Sequence, residues 1–305
     1  ATKAVSGSSI LVNAATVSDL ESTVVEASNA VETALTSGGV TTARYLSKSV
    51  VLTTEEQDIS VQVDPDVLST QVDKVRVETP SYAVTFKLSD LKLDLTQPLT
   101  FIAQEVGTGY APGNSSGKTA VKVSLPNGRT TNSITVSLPG GGSDTTYQAV
   151  VSTEGQATAS KYNPATTTMD GKINTSGTYT VKSNEKDFTD IASKSAEMQK
   201  AIRYLASKGI LNGTTATTFS PDGSINRAEI ATLLVKTLGK LDSTATASFS
   251  DVTKGNWFYT AAASSQRHKL INGYEDNTFR GTTNINKVQI VAVSSRVLAS
   301  EMNYK

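Results

Sequence analysis

Apolar residues recur with different rhythms along the chain, and each rhythm predicts a different kind of element. Leu20, Val24, Ala27, Val31 and Leu35 fall at helical spacing. Ser18-Asp19-Leu20-Glu21 has the form of a capping box, in which Ser18 accepts an orphan helix N–H and Glu21 reaches back. Gly38-Gly39 supplies a stop, so one helix is expected over 18–37. Residues 1–16 are small and polar, with one apolar island at Ile10–Val12. Over 58–183 the period falls to two. Ile59/Val61/Val63, Val75/Val77, Tyr82/Val84/Phe86/Leu88, Val121/Val123/Leu125 and Ile134/Val136/Leu138 alternate with polar neighbours, as strands with one buried face do. Their separators are turn formers: Pro112-Gly113, Pro126-Asn127-Gly128, Pro139 to Gly142 and Asp170-Gly171. Short strands so spaced read as an antiparallel sandwich, with a long loop at 107–118.

Helical spacing returns after Asp187, and with it an internal repeat. LNGTTATTFSPDGSINRAEIATLLVKTL (211–238) aligns without gaps on INGYEDNTFRGTTNINKVQIVAVSSRVL (271–298) at an offset of 60, and FTDI (188–191) answers FSDV (249–252) at 61. Each unit reads as an F-x-D-(I/V) entry, a helix, an Asn-Gly turn, a short extended loop and a second helix. The helices are expected at 195–208 and 226–238 in the first unit, and at 257–269 and 286–300 in the second. Asn212-Gly213 and Asn272-Gly273 read as helix C-caps. Helix pairs this small cannot bury an apolar face alone, so neighbouring units must pack together. The fold class that follows is α+β. It comprises an N-terminal helical segment (1–40), a β-sandwich (41–186) and two helical repeat units (187–246 and 247–305).

Composition narrows the chemistry. The 305 residues include no Cys and a single His, His268. That leaves no disulfide, thiolate nucleophile, multi-histidine metal site or imidazole relay. Lys+Arg and Asp+Glu number 28 each, so no net field argues for nucleic acid or membrane. Residues 187–305 hold 14 basic against 10 acidic residues and the remainder 14 against 18, a surplus too small to specify an anionic partner. No stretch approaches the ~18–20 apolar residues of a membrane span. The chain opens at Ala1 without a basic and apolar leader, and reads as a processed chain or an excised piece. Asp64-Pro65-Asp66 is too short a constellation for a carboxylate-pair enzyme. The acidic turns at 220–223 and 273–277 lack the ligand count of a calcium loop. No catalytic residue, metal or cofactor is expected.

The ordered motifs F-(S/T)-D-(I/V), G-I-L-N-G and T-F-x-P-(x)-G-x-I-N-R-A-E, ending in Asn226-Arg227-Ala228-Glu229, make residues 188–305 resemble the S-layer homology (SLH) module. The resemblance implies non-catalytic attachment of an extracellular protein to a bacterial cell wall or S-layer. The implied ligand is a secondary cell-wall polysaccharide, commonly carrying pyruvate ketals. Residues 157–186 more loosely resemble the strands that often precede such modules. The family usually has three modules in a three-prong bundle with ligand grooves between neighbours, whereas this chain carries two. Truncation, the 18–37 helix, other surface-layer proteins or self-association would each account for the third prong. The second copy also departs from the pattern, reading Asn286-Lys287-Val288-Gln289, with a polar first helix and Lys269 where the first has Gly209.

Candidate ligand residues follow from the resemblance, and each has a structural alternative. Arg227 offers a planar fork that suits a carboxylate, or is a first-turn helix residue paired with a neighbouring acid. As an exposed ligand contact, its removal would cost affinity and little stability. Lys287, its counterpart, is a point charge without the fork. Asn226 and Asn286 stand beside them. Glu229 either meets the ligand or caps its helix, as does Gln289. Asp190 and Asp251 precede helices and either cap them or accept sugar hydroxyls. Trp257 is either a platform for a pyranose face or core packing, and Tyr274 is a minor sugar contact. The competing reading is a structural protein-interaction piece of a surface lattice or adhesin, with the repeat units as scaffold.

Overall fold

The structure, a computed structural model, describes residues 1–39, 47–91, 96–106, 119–125, 134–140, 144–286, 288–293 and 297. The loop expected at 107–118, the turn at Pro126-Asn127-Gly128, part of the Pro139–Gly142 turn, and Lys287 lie outside them. The described residues fall into two compact units, 1–139 with 175–180 and 140–174 with 181–305.

The first unit begins with β1 (Thr2–Ala4), β2 (Ser9–Val12) and α1 (Ala14–Ser37). Then follow β3 (Ser49–Thr53), β4 (Ile59–Val63), β5 (Lys74–Glu78), β6 (Ala83–Lys87), the single turn α2 (Leu88–Leu91), β7 (Leu99–Val106), β8 (Ala120–Ser124) and β9 (Ile134–Pro139). The period-two residues face inward as expected: Val50, Leu52, Val75, Val77, Val84 and Phe86 on one sheet, Ile59, Val61, Val63, Phe101 and Ala103 on the other. Phe86 on β6 meets Phe101 on β7 edge-to-face at 5.6 Å, which joins the two inner faces.

The expectation of antiparallel pairing holds for β4–β7, β7–β8, β5–β6 and β6–β9. It is corrected at the other edge, where β1–β3, β3–β5 and β2–β4 pair in parallel. For β3–β5 the chain returns in the same direction by way of β4 in the other sheet; for β1–β3 and β2–β4 the polar first residues are the reason. They supply β1 and β2, one strand for each sheet, before α1, and a helix between strands allows the chain to return in the same direction. The start of α1 is corrected too. Asn13 and Thr16 form the capping box, with Asn13 Oδ1 accepting from the Thr16 amide at 2.8 Å and Thr16 Oγ1 from the Asn13 amide at 2.9 Å. Ser18 lies inside the helix and donates to the Ala15 carbonyl, while Glu21 accepts from the Gln71 amide. Gly38 and left-handed Gly39 end it as expected.

The second unit contains β10 (Gln148–Ser152), the hairpin β11 (Ser160–Asn163) and β12 (Thr168–Ile173), and the end of β13 (Gly177–Ser183). Its helices are α3 (Ala196–Ser207), α4 (Arg227–Thr237) and α5 (Tyr259–Arg267), each within three residues of its expected bounds, and residues 288–293 are helical. The strands hold the helix ends. Asn184 Nδ2 donates to the Ser207 carbonyl at 2.7 Å, and Lys172 Nζ to the Leu238 carbonyl at 2.6 Å. A cation at the end of α4 also suits its negative dipole end. Lys208 is buried and donates to the Gln148 carbonyl, and burial pushes its ammonium down to about 8.

Candidate functional site

Both repeat units build their loops with the same parts. Asp190 accepts from the amides of Phe219 at 2.9 Å and Ser220 at 2.7 Å. Asp251 does the same for Phe279 at 2.6 Å and Arg280 at 2.7 Å. The reading of these carboxylates as helix caps is therefore corrected, because each fastens the Thr-Phe segment of its own loop. The entry phenylalanine packs on the loop phenylalanine in each unit: Phe188 on Phe219 at 5.7 Å, and Phe249 on Phe279 at 5.3 Å.

The Asn-Gly pairs do not cap helices. The left-handed position after the first helix of each unit is Gly209 (φ 66°) in one and Lys269 (φ 55°) in the other. Gly213 and Gly273 serve a steric need instead, since a Cβ there would stand 2.6 Å from the ring of Phe188 or Phe249. Glu229 does cap. Its carboxylate accepts from the Asn226 amide at 2.7 Å while Asn226 Oδ1 accepts from the Glu229 amide at 2.9 Å. Asn286 and Gln289 repeat that reciprocal pair at 3.0 and 3.1 Å.

Arg227 is a buried residue, so the expectation of a surface position is corrected. Only 6% of it is exposed. Its Nη2 donates to the Asn272 carbonyl, and its guanidinium lies 5.0 Å from the centre of the Tyr274 ring and 5.4 Å from that of Phe279. Around it, the first unit's second helix is stitched to the second unit's loop. The Arg227 amide donates to the Thr283 carbonyl at 2.9 Å, the Ala228 amide to Gly281 at 2.8 Å, and the Ile285 amide to Ile225 at 3.3 Å. One buried cluster joins Ala228, Ala231 and Val235 of α4 to Phe258, Ala261 and Phe279 of the second unit.

The seam has an exposed face. Trp257 is 67% exposed, so the core-packing alternative is corrected; its ring meets Phe258 edge-on at 5.5 Å, and Phe258 stacks on Phe279 at 5.9 Å. Tyr274 is half-buried, with its hydroxyl accepting from Gln289 Nε2 at 2.9 Å. Above it lies Arg280, whose guanidinium is 4.2 Å from the ring centre and 2.7 Å from Asp276 Oδ2. A chain of contacts thus runs through the rings of Trp257, Phe258 and Phe279 to Arg227, Tyr274 and Arg280.

Residues 187–231 and 248–289 match the S-layer homology domain. The C-terminal region is a pair of SLH modules. Relatives include a cellulosome-anchoring protein of Acetivibrio thermocellus, 33% identical over 103 residues, which are 32% of this chain and 23% of that protein. A surface layer protein of Brevibacillus choshinensis is 27% identical over 120 residues, 38% of this chain and 11% of that one. An amylopullulanase of Thermoanaerobacterium thermosulfurigenes is 29% identical over 158 residues, 47% of this chain and 8% of that enzyme. The chain thus spans less than a quarter of the length of each of these relatives.

Within the SLH pair the structure gathers Asn226, Arg227, Glu229, Asp251, Trp257, Tyr274, Asn286 and Gln289 around one seam, through the contacts above. Asp190 fastens the first module's own loop, and Lys287 lies outside the described residues. Arg280 was missed by sequence reasoning. The signal was present, since Thr-Phe-Arg stands at an offset of 60 from Thr-Phe-Ser. No helix among the described residues is long and apolar enough to cross a membrane.

The loop carboxylates make the modules acid-sensitive. The Phe219 amide, then the Ser220 amide, holds Asp190 below its ordinary range. Asp276 is lowered to about 2 by the Thr278 hydroxyl, the Arg280 guanidinium and the Thr278 amide. A carboxylate depressed in the folded state stabilises it above the unfolded value of about 3.9, and this is lost as pH falls through the folded value. Hydrogen exchange at the Thr278 amide is therefore expected to lose protection, relative to the strand amides, between about pH 4 and pH 2, and that at Phe219 and Ser220 as pH falls below about 4. Equal relative protection at both ends of that range would contradict the assignment.

Proposed function

We propose that the SLH pair binds a carboxylate-bearing secondary cell-wall polysaccharide, in the pyruvylated form, and anchors a larger protein at the surface of a bacterium without catalysing a reaction. The observation that carries this reading is the exposure of Trp257 at the end of the aromatic chain. A large ring left in solvent offers a flat apolar face with a polar edge, which suits the C–H face of a pyranose. Arg280, exposed above Tyr274 and already holding one carboxylate, supplies the accessible cation. Arg227 works from beneath by fixing Tyr274, while Asp190, Asp251, Glu229, Asn226 and Asn286 shape the loops and helix starts. In the repeat alignment Lys287 is the counterpart of Arg227, a second cation by sequence. The relatives support attachment to the cell surface, since one is named as an anchoring protein and another as a surface layer protein. The amylopullulanase supports a non-catalytic role, because the shared stretch is 8% of that enzyme.

Co-sedimentation with cell-wall sacculi, before and after chemical removal of the secondary polysaccharide, tests the reading. Binding is expected to intact walls and to be lost on stripping. Trp257→Ala is expected to weaken it about tenfold while leaving the thermal midpoint unchanged. Retention of binding on stripped walls, or no binding to intact walls of the source organism, would favour the lattice or adhesin scaffold instead.

A further inference from the structure

The two modules repeat an Asn-Gly pair in the same place, but one contact differs between the copies. Asn212-Gly213 and Asn272-Gly273 stand at an offset of 60, outside the helices and strands, with both asparagines exposed. Among the described residues neither asparagine side chain is hydrogen-bonded and neither glycine amide donates. Glycine carries no Cβ to shield its nitrogen, so each asparagine side chain stands beside an open backbone N–H. The difference lies at the carbonyl between them. That of Asn272 accepts from Nη2 of the buried Arg227, whereas no donor among the described residues reaches that of Asn212. The carbonyl oxygen is conjugated with the Gly273 nitrogen. A cationic donor on that oxygen therefore favours the anion left when the nitrogen loses its proton. Arg227 is held against Tyr274 and Phe279, so its charge is in place before the anion forms.

We propose that Asn272 is a self-modification site, converted to aspartate and isoaspartate faster than Asn212 because Arg227 activates the Asn272–Gly273 peptide. Solvent base takes the Gly273 amide proton, and the nitrogen forms a bond to Asn272 Cγ. The Cγ–Nδ2 bond breaks, and Nδ2 takes a proton from water and leaves as ammonia, which closes a succinimide ring. Water then opens the ring at either carbonyl, so the conversion consumes water and releases ammonia in equal amounts. Opening on the Cα side leads the main chain through Cβ and Cγ to Gly273 and lengthens it by a carbon. Gly273 has little room to yield, since a Cβ there would stand 2.6 Å from the Phe249 ring. The isoaspartate form therefore loosens the seam that Arg227 closes. None of these steps depends on polysaccharide binding.

Peptide mapping by mass spectrometry follows both sites in the full chain during incubation in mildly alkaline buffer. In the folded chain Asn272 is expected to convert more than about tenfold faster than Asn212. In denaturant the two rates should be equal, because both pairs are Asn-Gly and the cation is no longer in place. Arg227→Met keeps much of the side chain's bulk and removes the donor, and is expected to bring Asn272 down to the Asn212 rate. A merely structural role for Arg227 predicts the opposite, since a loosened loop converts faster. The comparison within the unaltered chain stands even where the variant unfolds. Chain converted to isoaspartate at Asn272, separated by the negative charge it gains, is expected to unfold at a lower midpoint than unconverted chain. Equal rates at the two sites of the folded chain, a difference that persists in denaturant, a faster Asn272 in folded Arg227→Met, or an unchanged midpoint of the separated form would overturn the proposal.

Discussion

Replacing Arg227 with Ala is expected to destabilise the SLH pair by about 2–4 kcal/mol, the combined scale of a charge-assisted hydrogen bond and desolvated cation–π contacts. The guanidinium is buried, donates to the Asn272 carbonyl and lies against Tyr274 and Phe279, so its loss removes these contacts and leaves a gap in the seam. Urea unfolding followed by intrinsic fluorescence would show a lower midpoint. Arg227→Lys is expected to fall between the two, since it keeps the charge but loses the planar stack. This reverses what the sequence suggests for an exposed ligand contact. Binding to cell walls would also fall in Arg227→Ala, but as a result of the disturbed seam. Trp257→Ala, with its stability intact, is the variant that reports on the ligand. An Arg227→Ala chain with an unchanged midpoint would refute the structural role.

Gly213→Ala is expected to be comparably severe, for a different physical reason. Gly213 does not occupy the left-handed region, so backbone freedom is not its purpose. A Cβ there would collide with the Thr215 carbonyl, stand 2.5 Å from the Thr218 carbonyl and press on the Phe188 ring at 2.6 Å. Two of these obstacles are backbone and the third belongs to a buried ring, so none can swing aside. Overpacking of this kind costs about 3 kcal/mol. Gly255→Ala is the control, because its nearest neighbour would be Thr253 Oγ1 at 3.8 Å. Thermal unfolding should separate the two variants clearly. Equal midpoints would mean that the loop between the two helices yields at little cost.

The repeat was legible because both copies were written with the same turn chemistry. Thr-Phe at an offset of 60, and Phe-x-Asp at 61, became matching loops in which a carboxylate holds two amides and two phenylalanines meet. The helix positions were legible for the same reason, as was the Asn226–Glu229 capping box, which uses only residues three apart. The strand faces could be read because alternation reports burial directly. The start of α1 was misread because Ser-x-x-Glu occurs by chance inside a helix, and the competing Asn13–Thr16 pair carries no apolar signature.

By itself, then, the sequence determined what depends on neighbours along the chain: strand faces, helix spans, the two SLH modules and the residue types available for binding. Tertiary structure decided what depends on distant partners. It sent β1 and β2 into parallel pairing, because direction is set by the route of the chain and not by the pattern within a strand. It buried Arg227 and exposed Trp257, reversing what charge and hydrophobicity suggest for each, because 45 residues separate Arg227 from the carbonyl that receives it. It also left Val288 and Val291 in solvent where their counterparts Ala228 and Ala231 are covered. Patterning along the chain could not show that difference, since Ala228 and Ala231 are covered by Phe258 and Ala261, which are distant in sequence.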